Sequence, residues 1–335
     1  MKKTLLFTVA LISIAGSASA ADLPSIKSAP APAPLMTWTG FYAGLNVGGA
    51  VGHSSISTSS APVDPWGDPN NVSHASAFIT YMPWYSNSTG IALANSGSAR
   101  INQVGVMGGL QFGYNKQINE KFVAGLEADF QGSSLSGNGG FTAIGTDSLC
   151  NSEACDASKR NSTLTTSIST GVNWFGTVRG KIGYLITPQV LAYATGGLSY
   201  GGVYANIQNY GLSSYTSFTT PPAFGGYAEF TGYTPINGNK GQQTNVLVGW
   251  NAGGGFEWMF AQNWSAKAEA FYYDLGSWTL PSTVYGAAKG TANSLRYPLW
   301  YSSNSNRVNY NGVVARLGVN YHFNLANVAP VIAKF

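Results

Sequence analysis

The chain is poor in charge, and that is its first constraint. Only 9% of its 335 residues are Asp, Glu, Lys or Arg, where a soluble domain carries about a quarter. Beyond the N-terminal segment, no apolar run reaches the ~20 residues that a membrane-spanning helix needs. Two cysteines are too few for a disulfide scaffold. Three histidines, His53, His74 and His322, lie far apart and form no zinc-ligand spacing. Basic runs are absent, which leaves nothing to hold nucleic acid. Low charge without long apolar runs is what strands produce when they alternate between lipid and a filled lumen. The competing class is a secreted soluble β-sandwich or a glycine-rich surface protein.

Residues 1–20 read as a secretory signal peptide. Lys2 and Lys3 form its charged end, an apolar segment follows, and Ala18-Ser19-Ala20 obeys the small-residue cleavage rule. Removing the two lysines lowers the net charge from +4 to +2. Residues 21–37 contain APAPAP, which favours an extended leader because proline cannot pair in a sheet; this leader is expected in the periplasm. The barrel is expected over 38–323, with a C-terminal extension at 324–335.

The strongest signal lies at 245–275. Val246, Val248, Trp250, Ala252, Gly254, Phe256, Trp258 and Phe260 share one parity, with Asn251 and Glu257 on the other. After a three-residue connection, Trp264, Ala266, Ala268, Ala270 and Tyr272 alternate with Lys267 and Glu269. A period of two with so short a link is a β-hairpin, and each run is long enough to cross a bilayer at a tilt. Six more strands follow the same rule, at 38–52, 104–115, 122–131, 174–186, 190–201 and 311–323. In the strand at 190–201 both parities carry apolar residues, so its facing stays open. Between the strands, three short turns alternate with four long polar segments at 53–103, 132–173, 202–244 and 276–307. The expected fold is therefore all-β: an eight-stranded antiparallel transmembrane β-barrel with four long extracellular loops and short periplasmic turns.

The expected inward charges balance: Glu127, Asp129, Glu257 and Glu269 against Arg179, Lys181, Lys267 and Arg316. An unpaired charge in a narrow barrel is costly, so mutual pairing is the economical reading; a weakly ion-selective path is the alternative. Cys150 and Cys155, close together in an exported segment, are expected to form a disulfide. His53 and His74 read as polar loop residues, with haem or metal capture as the sharper alternative, and His322 as a rim or lumen residue. The segments HSS at 53–55 and HAS at 74–76 invite comparison with lipid hydrolases, but no third orienting group can be placed. The glycine clusters at 108–109 and 253–255 precede no helix and are not phosphate loops. No cofactor is expected.

Five segments in order, WTGFYAGLNVGG at 38–49, GLQFGYN at 109–115, YATGGLSYG at 193–201, KAEAFYYDLG at 267–276 and LGVNYHF at 317–323, resemble the alphaproteobacterial outer-membrane porin family of OmpA-like and opacity-type eight-stranded barrels. The resemblance implies a non-enzymatic integral outer-membrane protein exposed at the surface, some relatives of which are linked to haem binding, adhesion or envelope integrity. The alternative function is a narrow porin-like channel for small solutes. The implied partners are outer-membrane lipid and lipopolysaccharide, the barrel-assembly machinery and an unidentified loop ligand. The resemblance also implies a terminal aromatic assembly signal, here either Phe323 or Phe335.

Overall fold

A computed structural model describes residues 37–63, 89–148, 159–219, 228–238, 241–287 and 298–323. The signal peptide, most of the leader, Cys150, Cys155, His74 and the extension with Phe335 lie outside them. Nine strands are present: β1 (Gly40–Val63), β2 (Gly97–Gln117), β3 (Phe122–Ser148), β4 (Lys159–Thr187), β5 (Val190–Thr219), β6 (Ala228–Gly238), β7 (Gly241–Ala261), β8 (Trp264–Ala287) and β9 (Pro298–Phe323), with one short helix, α1 (Thr89–Ala94).

All pairings are antiparallel and the sheet closes on itself. The ring runs β1, β2, β3, β4, β5, β7, β8, β9 and back to β1, where Phe41 pairs with Phe323. The ninth strand adds no stave. β6 pairs with β5 from Tyr210 to Thr219, and β7 pairs with the same strand from Val190 to Ile207. Both run in one direction, so together they make a single interrupted stave. The barrel therefore has eight staves and no free edge, as a lipid environment requires.

One end has tight turns. Asn119 Oδ1 accepts from the N–H groups of Lys121 and Phe122 at 2.9 and 2.8 Å, which closes the β2–β3 turn. Above these turns the outward positions form an apolar belt: Leu126, Ile182 and Val248 are 67%, 70% and 66% exposed. Aromatic pairs border it. Phe41–Tyr114, Phe122–Tyr184 and Trp264–Tyr321 sit at 4.8, 5.5 and 5.1 Å near the turn end; Phe130–Trp174 and Trp250–Tyr272 sit at 5.6 and 5.4 Å near the other. Two aromatic girdles around an apolar band are the mark of a membrane barrel.

The four polar segments differ from expectation: much of each is strand. β1 runs on to Val63, β3 to Ser148, β5 to Thr219 and β8 to Ala287, so the barrel extends well past the belt. The physical reason lies in an inversion of polarity. Within the belt, apolar residues face out and charges face in. Beyond it, Ser55, Ser57, Thr163 and Ser167 face out, while Ile56, Leu164, Ile168, Val203 and Ile207 are buried inside. The outside of the extension meets water, so its strands bury apolar side chains inward like a soluble sheet.

Bulges mark the change. The β4 register shifts between Val172 and Trp174, and the β8 register between Asp274 and Ser277. Outward residues on β4 switch from even numbers (Val178, Ile182) to odd ones (Thr163, Ser167), and β8 does the same. Gly276 takes φ +79°, and its N–H donates to Asp274 Oδ1 at 2.7 Å. An extra residue in one strand re-aims every side chain after it.

Candidate functional site

The lumen is filled in layers, and the charged layer lies within the belt. The alternation that points Leu126, Val178, Ala268 and Leu317 at lipid points Glu127, Arg179, Lys267 and Arg316 inward. All eight expected lumen charges are inward and buried.

Six of them, Glu127, Asp129, Glu269, Arg179, Lys267 and Arg316, form one connected network, and Lys181 and Glu257 form a separate pair. Glu127 accepts from Lys267 Nζ at 2.7 and 2.8 Å, from Arg179 Nη2 at 2.5 Å and from the Tyr42 hydroxyl at 2.7 Å. Asp129 accepts from Arg316 Nη2 and the Thr177 hydroxyl, both at 2.7 Å. Glu269 accepts from Arg316 Nε at 2.7 Å, Arg179 Nη1 at 3.0 Å and the Tyr193 hydroxyl at 3.0 Å. Glu257 lies lower, with Lys181 Nζ at 2.5 Å, the Ser265 hydroxyl at 2.6 Å and Asn320 Nδ2 at 2.8 Å. Each carboxylate is met by a cation and by neutral donors, which is the condition for holding charge in a low-dielectric interior. Among the described residues, Arg179 Nε and Arg316 Nη1 have no hydrogen-bond partner.

Apolar clusters lie on both sides of the charged layer. On the turn side, Trp38, Val123, Leu185, Leu191, Tyr193 and Met259 cluster, and the Trp38 indole N–H donates to the Pro188 carbonyl at 3.1 Å. This cluster explains β5: Leu191 and Tyr193 fill the lumen while Ala194 and Leu198 face lipid, so both parities are apolar. On the other side, the Arg179 and Arg316 guanidinium carbons lie 5.0 and 5.1 Å from the Phe271 ring centroid. Phe271 and Tyr273 pack on Phe175, with centroids 6.2 and 5.1 Å away, and Leu135, Val172 and Leu275 continue the same cluster.

Higher still, the Thr170 hydroxyl donates to the Tyr310 hydroxyl, which donates to the Tyr204 carbonyl, each at 2.9 Å. This ties β9 to β4 and β5 across the lumen. Burial pushes the Tyr310 hydroxyl up to about 12, so it stays a neutral donor. In the extension, α1 packs against β1, β3, β4 and β9. Its Ile91 and Ala94 join Leu164, Ile236 and Val284. Sequence reasoning missed this helix; the signal available was the short apolar run IALA within a Ser- and Asn-rich stretch.

Ser265, His322 and Glu257 have the composition of a hydrolytic triad but not its geometry. The Ser265 hydroxyl donates to Glu257, and His322 Nε2 is the nitrogen near both Ser265 (2.8 Å) and Glu257 (3.5 Å). A working triad uses opposite ring nitrogens, and all three residues are buried. His53 faces outward on β1 with Nδ1 3.0 Å from Asn102 Oδ1. Among the described residues no group of His, Cys, Asp and Glu could hold a metal ion. Phe323 closes β9, exposed at the belt's lower edge.

No protein-family model matches the chain. Among solved structures, it resembles the outer membrane protein OprG of Pseudomonas aeruginosa (10% identity, 85% of this chain and 97% of that one, TM-score 0.29) and Ail, the attachment invasion locus protein of Yersinia pestis (10% identity, 83% and 99%, TM-score 0.24). The fold rests on the strand ring itself, not on alignments at these scores. The sequence relatives are closer. The 31 kDa outer-membrane immunogenic proteins of Brucella melitensis and Brucella suis are each 32% identical over 279 residues, 82% of this chain and 88% of theirs. At that identity and coverage the chain belongs to the family of the 31 kDa outer-membrane immunogenic proteins, and it is an outer-membrane β-barrel protein.

Proposed function

We propose that this protein is a closed, non-enzymatic barrel whose role is to present its extended strands and their connections outside the membrane. One observation carries this reading: the charged layer is sandwiched between apolar clusters, with Met259 and Leu191 below it and Phe175 and Val314 above it all 0% exposed. A conducting path needs a continuous polar or hydrated route, and small eight-stranded barrels are wide enough only for their own side chains. The closed core favours this reading over a narrow porin-like channel. The Ser265–His322–Glu257 geometry and the burial of those residues favour a non-enzyme. The name of the Brucella relatives supports surface exposure.

Proteoliposomes test the reading. Vesicles holding the refolded barrel should release a trapped small sugar no faster than empty vesicles, while antibodies raised to the extension should label intact cells. Fast sugar release, or labelling only after cell lysis, would overturn it.

A further inference from the structure

Just beyond the upper edge of the belt, three neighbouring strands carry a polar face with two cations that have no acidic partner among the described residues. Val51 pairs with both Val104 and Val313, and all three are exposed at the belt's edge. Four residues up β2 from Val104 stands Arg100; six residues up β9 from Val313 stands Arg307. Both are exposed and both face outward. They flank β1, where Ser55 pairs with Arg100 and Ser57 with Arg307. Among residues with described side chains, they are the exposed Lys or Arg residues on this side of the belt. Lys116 and Lys121 lie at the turn end.

Neither arginine has an acidic partner among the described residues. Arg307 Nε donates to the Ser277 hydroxyl at 3.1 Å, a bond that does not use its two terminal nitrogens. Among the described residues, the outward carboxylate of Asp274 on β8 accepts from the Gly276 N–H at 2.7 Å and pairs with neither arginine. Neutral donors fill the ground between the cations: Ser55, Ser57 and Ser98 are exposed, and Asn309 Nδ2 donates to the Ser55 hydroxyl at 3.0 Å.

Height and spacing suit a ligand at the headgroup level. At ~3.3 Å per residue and a tilt of 35–45°, the Arg100 and Arg307 Cα atoms stand roughly 10 and 15 Å above the belt's edge. An arginine stem lying down the sheet brings its charge into the headgroup zone. Two strand spacings and two residues of rise separate the Cα atoms by about 12 Å, a span over which each side chain can take its own phosphate. Guanidinium groups recognise phosphate by paired N–H bonds, and the hydroxyls and amides between them suit sugar. We propose that Arg100 and Arg307 form a docking site for a bis-phosphorylated glycolipid of the outer leaflet, each arginine taking one phosphate.

The test uses the refolded full chain in neutral detergent micelles, with lipid retention read by native mass spectrometry. The probes are bisphosphoryl lipid A, the same lipid after phosphatase treatment, and inorganic phosphate. Wild-type protein should retain the bisphosphoryl lipid about tenfold better than the dephosphorylated form, and retention should fall as salt rises from about 50 to 500 mM. The single variants Arg100→Gln and Arg307→Gln should each lower retention, and the double variant should abolish the preference. Lys116→Gln should leave it unchanged. Equal retention by the double variant, an equal loss in Lys116→Gln, or displacement of the lipid by millimolar phosphate would overturn the proposal. If the variants fail to fold, the salt and dephosphorylation arms on wild-type protein decide it: no preference overturns it.

Discussion

Lys267 on β8 reaches Glu127 on β3 with its ammonium 2.7 and 2.8 Å from the two carboxylate oxygens. In the ring these staves are four apart, so the pair spans the full lumen. The pair thus braces the barrel across its lumen.

Lys181 is the cleanest case, because its ion-pair partner among the described residues is Glu257 alone. Lys181→Met is expected to cost about 3–5 kcal/mol by leaving a buried carboxylate without its cation. Lys181→Met combined with Glu257→Gln should recover more than half of that. Urea unfolding in lipid vesicles measures both. A double variant as unstable as the single one would contradict the pairing.

Glycines divide into those the packing needs and those it does not. A Cβ at Gly253 would stand 2.3 Å from the Ala270 carbonyl oxygen and 2.4 Å from Phe271 Cβ, whereas one at Gly180 meets nothing closer than 3.8 Å. Gly253→Ala should therefore reduce the folded fraction, seen as lost heat-modifiable migration in mild detergent gels. Gly180→Ala should fold normally and gain about 0.5–1 kcal/mol, the usual difference in strand interiors.

The inverted polarity of the extension predicts opposite tolerances at adjacent positions. Ile168 is buried inside and Ser167 faces water. Ile168→Asp places an unpaired charge in the apolar layer and should make the extension sensitive to external protease, with the belt still protected. Ser167→Asp should leave the cleavage pattern unchanged. Equal sensitivity in both variants would mean that the extension is not packed as described.

Tyr310 gives a pH dependence with a definite sign. Burial raises its folded value to about 12, above the ordinary tyrosine value of about 10, so the folded state holds the proton more tightly. The hydroxyl's contribution is intact below pH ~10 and is lost as pH rises towards ~12. Protease resistance of the extension should weaken over that range in wild type. Tyr310→Phe, which forfeits about 1 kcal/mol of hydrogen bonding at neutral pH, should show a flatter profile.

The belt was legible in the sequence because lipid enforces strict alternation there. Phe256, Trp258 and Phe260 against Glu257 left one register available, and the eight lumen charges followed from it. The extension was not legible, for two reasons. Water outside and a filled lumen inside dilute the pattern with Ser and Thr. Bulges at Asn173 and Gly276 then put any parity count out of phase. A signal did exist in Val203, Ala205 and Ile207, an apolar parity inside a polar stretch. Arg100 and Arg307 were passed over because the segments holding them read as loops, which assign no facing to a side chain.

Single-channel recording on the refolded barrel in a planar bilayer tests the proposed closed lumen most directly. The layered core predicts a silent bilayer at moderate voltage, with protein insertion verified by antibody. Steady ohmic steps whose size changes in Glu127→Gln would contradict it, because current would then be passing through the layer that Lys267 and Glu127 close.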